Sequence, residues 1–549
     1  MTANHLKARG HGGLLATLAL ALVVGLPAPG GTARAADPPA RRPNIVFLLS
    51  DDQRYDTLGV WNRHPLLKTP HLDRLAHEGG WFRQAFVVTP LCAPSRTAFL
   101  TGLYGHNSNF RTNEGPWPER FPPSFLSVAH DAGYRTAFIG KKHIYNTDEP
   151  LPGIDHWVSF VNQGLFTNPI LNINGTRGRH EGANGDLLTE QGLDFIKQNK
   201  DHPFALTIAW KEAHSQQRPP HRYDPLFEND SIPLPSSFDE DKSTKPRYFT
   251  AMKRLPDSGY DDDKPRANPG PPPGATREDL AVKKIKNYYR CIEALDDYVG
   301  RLLKTLEEVG QLDNTIIVYA GDNGYFLGEH GRFEKMTPHE ESVRIPLLIR
   351  YPSAIKPGTV SDAIVRNIDV APTLYDLAGL KGPETLDGRS LRTVLQSSDK
   401  TGAAVDWPQD VYLEWQGRDG AIKPGTPGYV LGPQAEARAE ARAKAQANAK
   451  TDIQKKAAAA GFNPIPTWRA LRTQTHKYAV YLDGDLSELY DLRSDPNEAH
   501  NLIGDPAQKE LIATLHQRLL RLADATHDPL RPLISAEPST QARTAAATP

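Results

Sequence analysis

Residues Cys92 to Gly102 read CAPSRTAFLTG and set a thiol, a proline and a guanidinium (Cys92, Pro94 and Arg96) within five positions. A proline where a first helical turn begins loses no hydrogen bond, because its missing N–H would lack an intrahelical partner anyway. The free N–H groups at such a helix start favour an anion, and Arg96 adds a permanent charge beside the sulfur. These surroundings lower a thiol pKa and receive an oxyanion. A cysteine alone beside a turn is more often a small core residue, so its meaning depends on what else the chain supplies. Asp51-Asp52 and Asp322-Asn323 each follow an apolar run and together offer three carboxylates and an amide oxygen. Hard divalent cations such as Ca²⁺ or Mg²⁺ prefer oxygen donors of this kind. Without a cation, clustered carboxylates at strand ends repel one another. Further candidates are Lys141 and His143 in Gly140-Lys141-Lys142-His143, His214 after Trp210-Lys211-Glu212-Ala213, and Lys335 closing Gly331-Arg332-Phe333-Glu334-Lys335. Lys141 and His143 are expected on one side of an extended segment, since alternate residues share a face.

The CAPSR pentapeptide, with Leu100-Thr101-Gly102 behind it, resembles the signature of the type I, formylglycine-dependent sulfatases of the alkaline-phosphatase-like superfamily. The resemblance implies that Cys92 is oxidised to formylglycine by a formylglycine-generating enzyme before folding finishes, and that the nucleophile is one hydroxyl of the hydrated aldehyde. It implies Asp51, Asp52, Asp322, Asn323 and the converted Cys92 as ligands of one divalent cation, Ca²⁺ ahead of Mg²⁺. Arg96 would steady the hydrate, and Lys141 would hold hydrate and sulfate. His143 would take the proton when the sulfated hydrate collapses. His214 matches the histidine that contacts sulfate and leaving oxygen, and Lys335 the second sulfate-binding cation. One departure stands out: relatives often carry proline two residues after that histidine, and this chain has Gln216. Trp157-Val158-Ser159-Phe160, Leu171-Asn172-Ile173-Asn174-Gly175 and Asp186-Leu187-Leu188-Thr189 resemble the N-acetylglucosamine-6-sulfatase branch. The implied activity is removal of sulfate from a sulfated carbohydrate. Two other readings are a phosphodiesterase or phosphonate monoester hydrolase on the same scaffold, and a glycan-binding protein that has lost catalysis. The filling of every motif position argues against the last.

These residues need strand ends to hold them. Asn44 to Leu49, Thr136 to Ile139, Phe204 to Trp210 and Thr315 to Tyr319 are largely apolar runs, as strands buried on both faces would be. Helical patterns fall between them, including 70–77 with Thr69 as N-cap and Gly79 as stop. That alternation predicts an α/β fold with helices on both faces of the sheet, with ligands gathering at the carboxyl ends of the strands. The resemblance implies a large mixed sheet sandwiched by helices. A catalytic domain is expected over residues 43–385, interrupted by a proline-rich surface excursion between Asp224 and Asp279. Beyond it, 386–530 reads as a smaller subdomain of short antiparallel strands closed by a helix near Lys509 to Leu522. An exposed Ala/Arg/Lys-rich helical insertion is expected at 434–460 and a disordered tail at 531–549.

The chain has 549 residues, more than one compact core usually takes. Lys+Arg of 64 against Asp+Glu of 65 point to neither nucleic acid nor an anionic membrane as partner. Lys7 and Arg9, an apolar run from Leu14 to Leu26 and Ala33-Arg34-Ala35 form a secretory signal pattern over 1–35. The run is short for a bilayer span, so export without stable membrane insertion is expected. With Cys92 modified, Cys291 has no partner. It borders the apolar stripe of a helix from about Val282 to Val309 and reads as a core residue rather than half of a disulfide.

Overall fold

The computed structural model describes residues 42–113, 115, 117–251, 274–397, 399–401, 406–417, 465–482, 484–535 and 537–540. The signal pattern at 1–35 and the insertion at 434–460 lie outside the described residues, as does much of the proline-rich stretch before Gly274. Among the described residues, a mixed sheet of eleven strands forms the centre. In chain order its strands are β1 Asn44–Ser50, β2 Gly80–Phe86, β3 Arg135–Gly140, β4 His156–Ser159, β5 Ile170–Ile173, β6 Thr176–Arg179, β7 Phe204–Ala209, β8 Thr315–Gly321, β9 Arg344–Ile345, β10 Leu347–Arg350 and β11 Thr359–Arg366. They lie in the order β11-β2-β10-β8-β1-β7-β3-β4-β5-β6, with β9 beside β2. The middle four, β8, β1, β7 and β3, are parallel neighbours.

β1 shows why an all-apolar strand belongs here. Val46 and Leu48 point to one core, with helices α1 Pro70–Glu78, α4 Asn184–Gln198 and α5 Arg277–Glu308. Ile45, Phe47 and Leu49 point to the other, with α2 Cys92–Thr101, α3 Phe125–Asp131 and α6 Val370–Ala378. Alternation with both faces covered leaves no place for a polar side chain until the strand ends. Thr69 precedes α1, but its hydroxyl caps nothing in the helix; it accepts from the Gly59 N–H at 2.7 Å and donates to Asp73 at 3.0 Å, tying a loop down instead. α5 begins five residues earlier than the apolar stripe predicts, because Thr276 and Asp279 cap it reciprocally. Cys291 is fully buried on it, and both cysteines are free thiols.

A second sheet is antiparallel, in the order β12 Asp410–Trp415, β13 Trp468–Thr473, β14 His476–Tyr481, β15 Glu488–Asp491. Helix α7, Lys509–Ala525, closes it. It shares a core with Phe86, Val88, Leu91 and Ala98 of the large-sheet region. Two segments differ from expectation. The described part of the 224–279 excursion buries Phe238, Tyr248 and Phe249, the latter two in that shared core. The expected disordered tail is ordered where described: Ile534 is buried in the same core, and the Ser487 N–H donates to the Ser539 carbonyl. No helix among the described residues is long and apolar enough to cross a membrane.

Candidate active site

The parallel register carries the site. Ser50 pairs with Gly321, and Leu49 and Gly140 both pair with Ala209. Main-chain hydrogen bonds continue one step past the strand ends. Asp322 N–H donates to Ser50, Lys141 N–H to Ala209 and Asp51 N–H to the Glu212 carbonyl, at 2.8–2.9 Å. Asp51, Asp322 and Lys141 are thus the first side chains beyond β1, β8 and β3, three of the four parallel central strands. Gly140 has φ +114°, and a Cβ there would stand 2.1 Å from the Ala209 carbonyl oxygen, so the glycine lets β3 and β7 close up beneath Lys141.

Cys92 is the first residue of α2 and is 1% exposed. Its Sγ lies 3.1 Å from Lys335 Nζ, 3.7 Å from Lys141 Nζ and 3.9 Å from Asp51 Oδ1. Lys141 pairs with Asp51 and Lys335 with Asp52. Arg96, one turn along α2, donates from Nε to Asp322 at 2.9 Å and from Nη1 to the Lys141 carbonyl at 2.6 Å. The carboxylate oxygens of Asp51, Asp52 and Asp322 come within 4.8 Å of one another. Asp52 N–H donates to Asp322 Oδ1 at 2.9 Å, and Asn323 Nδ2 to Asp52 Oδ1 at 2.7 Å. Asp52 Oδ2 and Asn323 Oδ1 are buried acceptors with no hydrogen-bond partner. Leaving such groups unmade is expensive, and two of them within a cluster of three carboxylates and one amide suit an oxygen-coordinated cation. The donor set therefore fits the ion.

The histidines lie on turns. His143 has φ +54°, so the expected extended segment is a turn, and its Nε2 stands 3.4 Å from Gln163 Nε2. His214 can bring a ring nitrogen within 4.8 Å of both Asp51 and Cys92. Gln216 has φ +86°, which proline, locked near −65°, could not adopt. The departure from the relatives' pattern therefore accompanies a different local backbone.

Charge sets the protonation pattern. Burial would raise Asp51, but Lys141, His214, Arg96 and Lys335 outweigh it and hold the carboxyl well below the usual range. Burial and the Asp51 charge push Asp322 up to about 6. Burial opposes the charged form of Lys335, yet Asp52 and its neighbours raise it well above the ordinary lysine value. His143 and His214 are lowered by burial and by Lys141. Burial also raises the Cys92 thiol, despite the lysines, so the low thiol pKa expected from its helix start is not what this pocket produces.

The candidates Asp51, Asp52, Cys92, Arg96, Lys141, His143, His214, Asp322, Asn323 and Lys335 come together at these strand ends. Motif reading missed Asn113, whose Oδ1 accepts from the Ala93 N–H at 2.9 Å and holds the start of α2, and Gln163 beside His143. Neither sits in a pattern that marks it.

The family model described as Sulfatase matches residues 43–380, and a second, N-sulphoglucosamine sulphohydrolase, C-terminal, matches 460–525. An N-acetylglucosamine-6-O-sulfatase of Bacteroides thetaiotaomicron is 30% identical, covering 89% of this chain and 88% of its own length. A solved structure of a protein in complex with its substrate D-glucosamine-2-N,6-O-disulfate superposes with TM-score 0.74 at 28% identity, covering 89% of this chain and 99% of that one. The phosphonate monoester hydrolase of Agrobacterium radiobacter shares the fold, with TM-score 0.66 at 22% identity over 88% of this chain and 96% of its own.

Proposed function

The chain belongs to the sulfatase family, within the alkaline-phosphatase-like superfamily, and from that premise we propose that it hydrolyses a sulfate ester on a 6-sulfated amino sugar of a glycan. The observation that carries this reading is the setting of Cys92: a helix start flanked by two buried lysines and by three carboxylates and an amide, among which Asp52 Oδ2 and Asn323 Oδ1 are unpartnered. Cys92 stands as the thiol precursor. Conversion to formylglycine would supply a hydrate with two hydroxyls, one to attack sulfur and one whose deprotonation releases sulfate without a second attack there. A cation held by Asp51, Asp52, Asp322, Asn323 and residue 92, Ca²⁺ by family resemblance, would supply positive charge to polarise the nucleophile and a sulfuryl oxygen.

The chain's own residues divide the remaining work. Arg96 is clamped by Asp322 and the Lys141 carbonyl and so steadies residue 92 without leaving its place. Lys141 and Lys335 flank the sulfur position and hold the sulfuryl oxygens, where charge-assisted hydrogen bonds are strongest. The lowered pKa of His143 keeps it neutral and able to accept the proton lost when sulfate departs. An anionic sulfate next to His214 favours its protonated form, which then delivers a proton to the leaving alcohol. Covalent catalysis helps only when its second step is easy, and a hydrate provides that where serine would not.

The signal pattern at 1–35 supports export. The sulfated substrate of the structural neighbour and the name of the bacterial relative support the amino-sugar assignment. Matured protein should release sulfate from N-acetylglucosamine-6-sulfate and carry a modified residue 92 by mass spectrometry of its tryptic peptide. Rapid cleavage of an aryl phosphodiester with no sulfate release from any sulfated sugar would reject the proposal in favour of the phosphonate hydrolase reading.

A further inference from the structure

Asp52 is aimed by its main chain as much as by its side chain. Its φ of +60° lies in the left-handed region, which a residue bearing a Cβ occupies only when its surroundings hold it there. The holding group comes from across the core. Tyr288, fully buried on α5, donates its hydroxyl to the Asp52 carbonyl at 2.7 Å and accepts the Arg54 N–H at 3.0 Å. One oxygen thus bridges the carbonyl and the amide of a turn that do not bond to each other.

The Tyr288 ring stacks on Tyr325, with centroids 6.3 Å apart and planes 15° from parallel. The Tyr325 hydroxyl donates to the Phe333 carbonyl at 2.6 Å, two residues before Lys335. The Phe326 N–H bonds the Glu334 carbonyl at 2.9 Å and closes the same loop. A single pair of stacked phenols therefore grips two loops, one delivering Asp52 and the other Lys335, and those two side chains pair with each other. Packing explains why rings are present. It does not explain why each ring carries an oxygen bonded to the main chain of a site loop.

We infer that Tyr288 and Tyr325 are a coupled pair of positioning residues, Tyr288 aiming the Asp52 carboxylate into the cation pocket and Tyr325 setting the reach of Lys335 toward residue 92. The inference rests on the preceding reading of Asp52 as a cation ligand and Lys335 as a sulfate-holding group. Both tyrosines act through the loops they hold.

The test removes each hydroxyl and keeps each ring, in Tyr288→Phe and Tyr325→Phe of the full chain. Calorimetry measures Ca²⁺ affinity of metal-stripped protein and inorganic sulfate affinity of Ca²⁺-loaded protein, with thermal unfolding alongside. Outer partners of a metal ligand typically change affinity by about 10–100-fold. Tyr288→Phe should weaken Ca²⁺ by about 10-fold and sulfate by less than about twofold. Tyr325→Phe should weaken sulfate several-fold and leave Ca²⁺ within about twofold, a crossover that a uniform loss of stability would not produce. If Tyr288→Phe yields no folded protein, the Tyr325→Phe pattern decides. Wild-type Ca²⁺ and sulfate constants in both variants, whatever happens to stability, overturn the inference while leaving the function intact. Failure of wild-type protein to bind Ca²⁺ removes the cation-site reading and the inference with it.

Discussion

Among the described residues, two clusters of fully buried side chains bring three metal-ligand-type groups within 4.8 Å of one another, and they are built on opposite principles. In the cluster at the second sheet, His106, Glu414 and Asp528 are all satisfied. His106 Nδ1 meets Glu414 at 2.7 Å and Nε2 meets the Thr526 carbonyl at 2.8 Å. Asp528 accepts from Tyr412 at 2.5 Å, from the Leu530 N–H at 2.9 Å and from Arg469. In the cluster at the strand ends, Asp52 Oδ2 and Asn323 Oδ1 are left without partners although buried. A closed network rigidifies the protein, whereas an open one is a bound group's place. Proximity of acidic groups alone would have scored the two alike.

The contrast can be broken in four places. Cys92→Ala should lower sulfate release by about 10⁴-fold or more, as loss of a nucleophile does; turnover by the variant near that of the matured wild type would sink the catalytic reading. Asp51→Asn should weaken Ca²⁺ by more than about 100-fold, measured by calorimetry, with turnover falling in parallel; unchanged affinity would mean the open cluster is not the cation site. Asp528→Asn should cost about 3–5 kcal/mol in urea unfolding, because it takes from the buried Arg469 its nearer counter-ion and leaves only Glu414, at 3.9 Å. Its Ca²⁺ affinity should stay at the wild-type value, and a shift there would erase the distinction between the clusters.

The smallest effect concerns pH. Burial opposes the charge on His106, but Glu414 outweighs it and raises the histidine pKa. The contribution is then complete below the unfolded histidine value of about 6.5 and is lost as pH rises through the higher folded value. The urea midpoint of wild type should therefore fall across that window more than that of His106→Gln. Parallel slopes would show that the pair does not titrate.

Much of this was legible in the sequence because the central strands are parallel and covered on both faces. Apolar runs such as 44–49 and 315–319 suit strands of that kind, and the first charged residues after them, Asp51 and Asp322, then lie at one end of the sheet. What escaped was set by distant main chain. The turn at His143 depends on a left-handed residue that no local pattern announces. Tyr288 lies next to Tyr289 on α5, and the apolar spacing picks out Tyr289; only the fold brings the Tyr288 hydroxyl to Asp52. Asn113 is a loop amide with no periodic neighbour. The burial of Ile534 depends on a core built partly from strands earlier in the chain.

The second sheet also governs time. Trp468 Nε1 donates to the Met336 carbonyl at 2.9 Å and Lys477 Nζ to the Pro338 carbonyl at 2.7 Å, so the segment leading away from Lys335 is fastened by residues near the end of the polypeptide. On a ribosome adding about 5–20 residues per second, those anchors emerge on the order of tens of seconds after Cys92. A finished molecule hides that thiol, with 1% exposed. Under the conversion of Cys92 proposed above, an oxidising enzyme acting on the nascent chain would have that interval before the fastening strands arrive and close over the thiol.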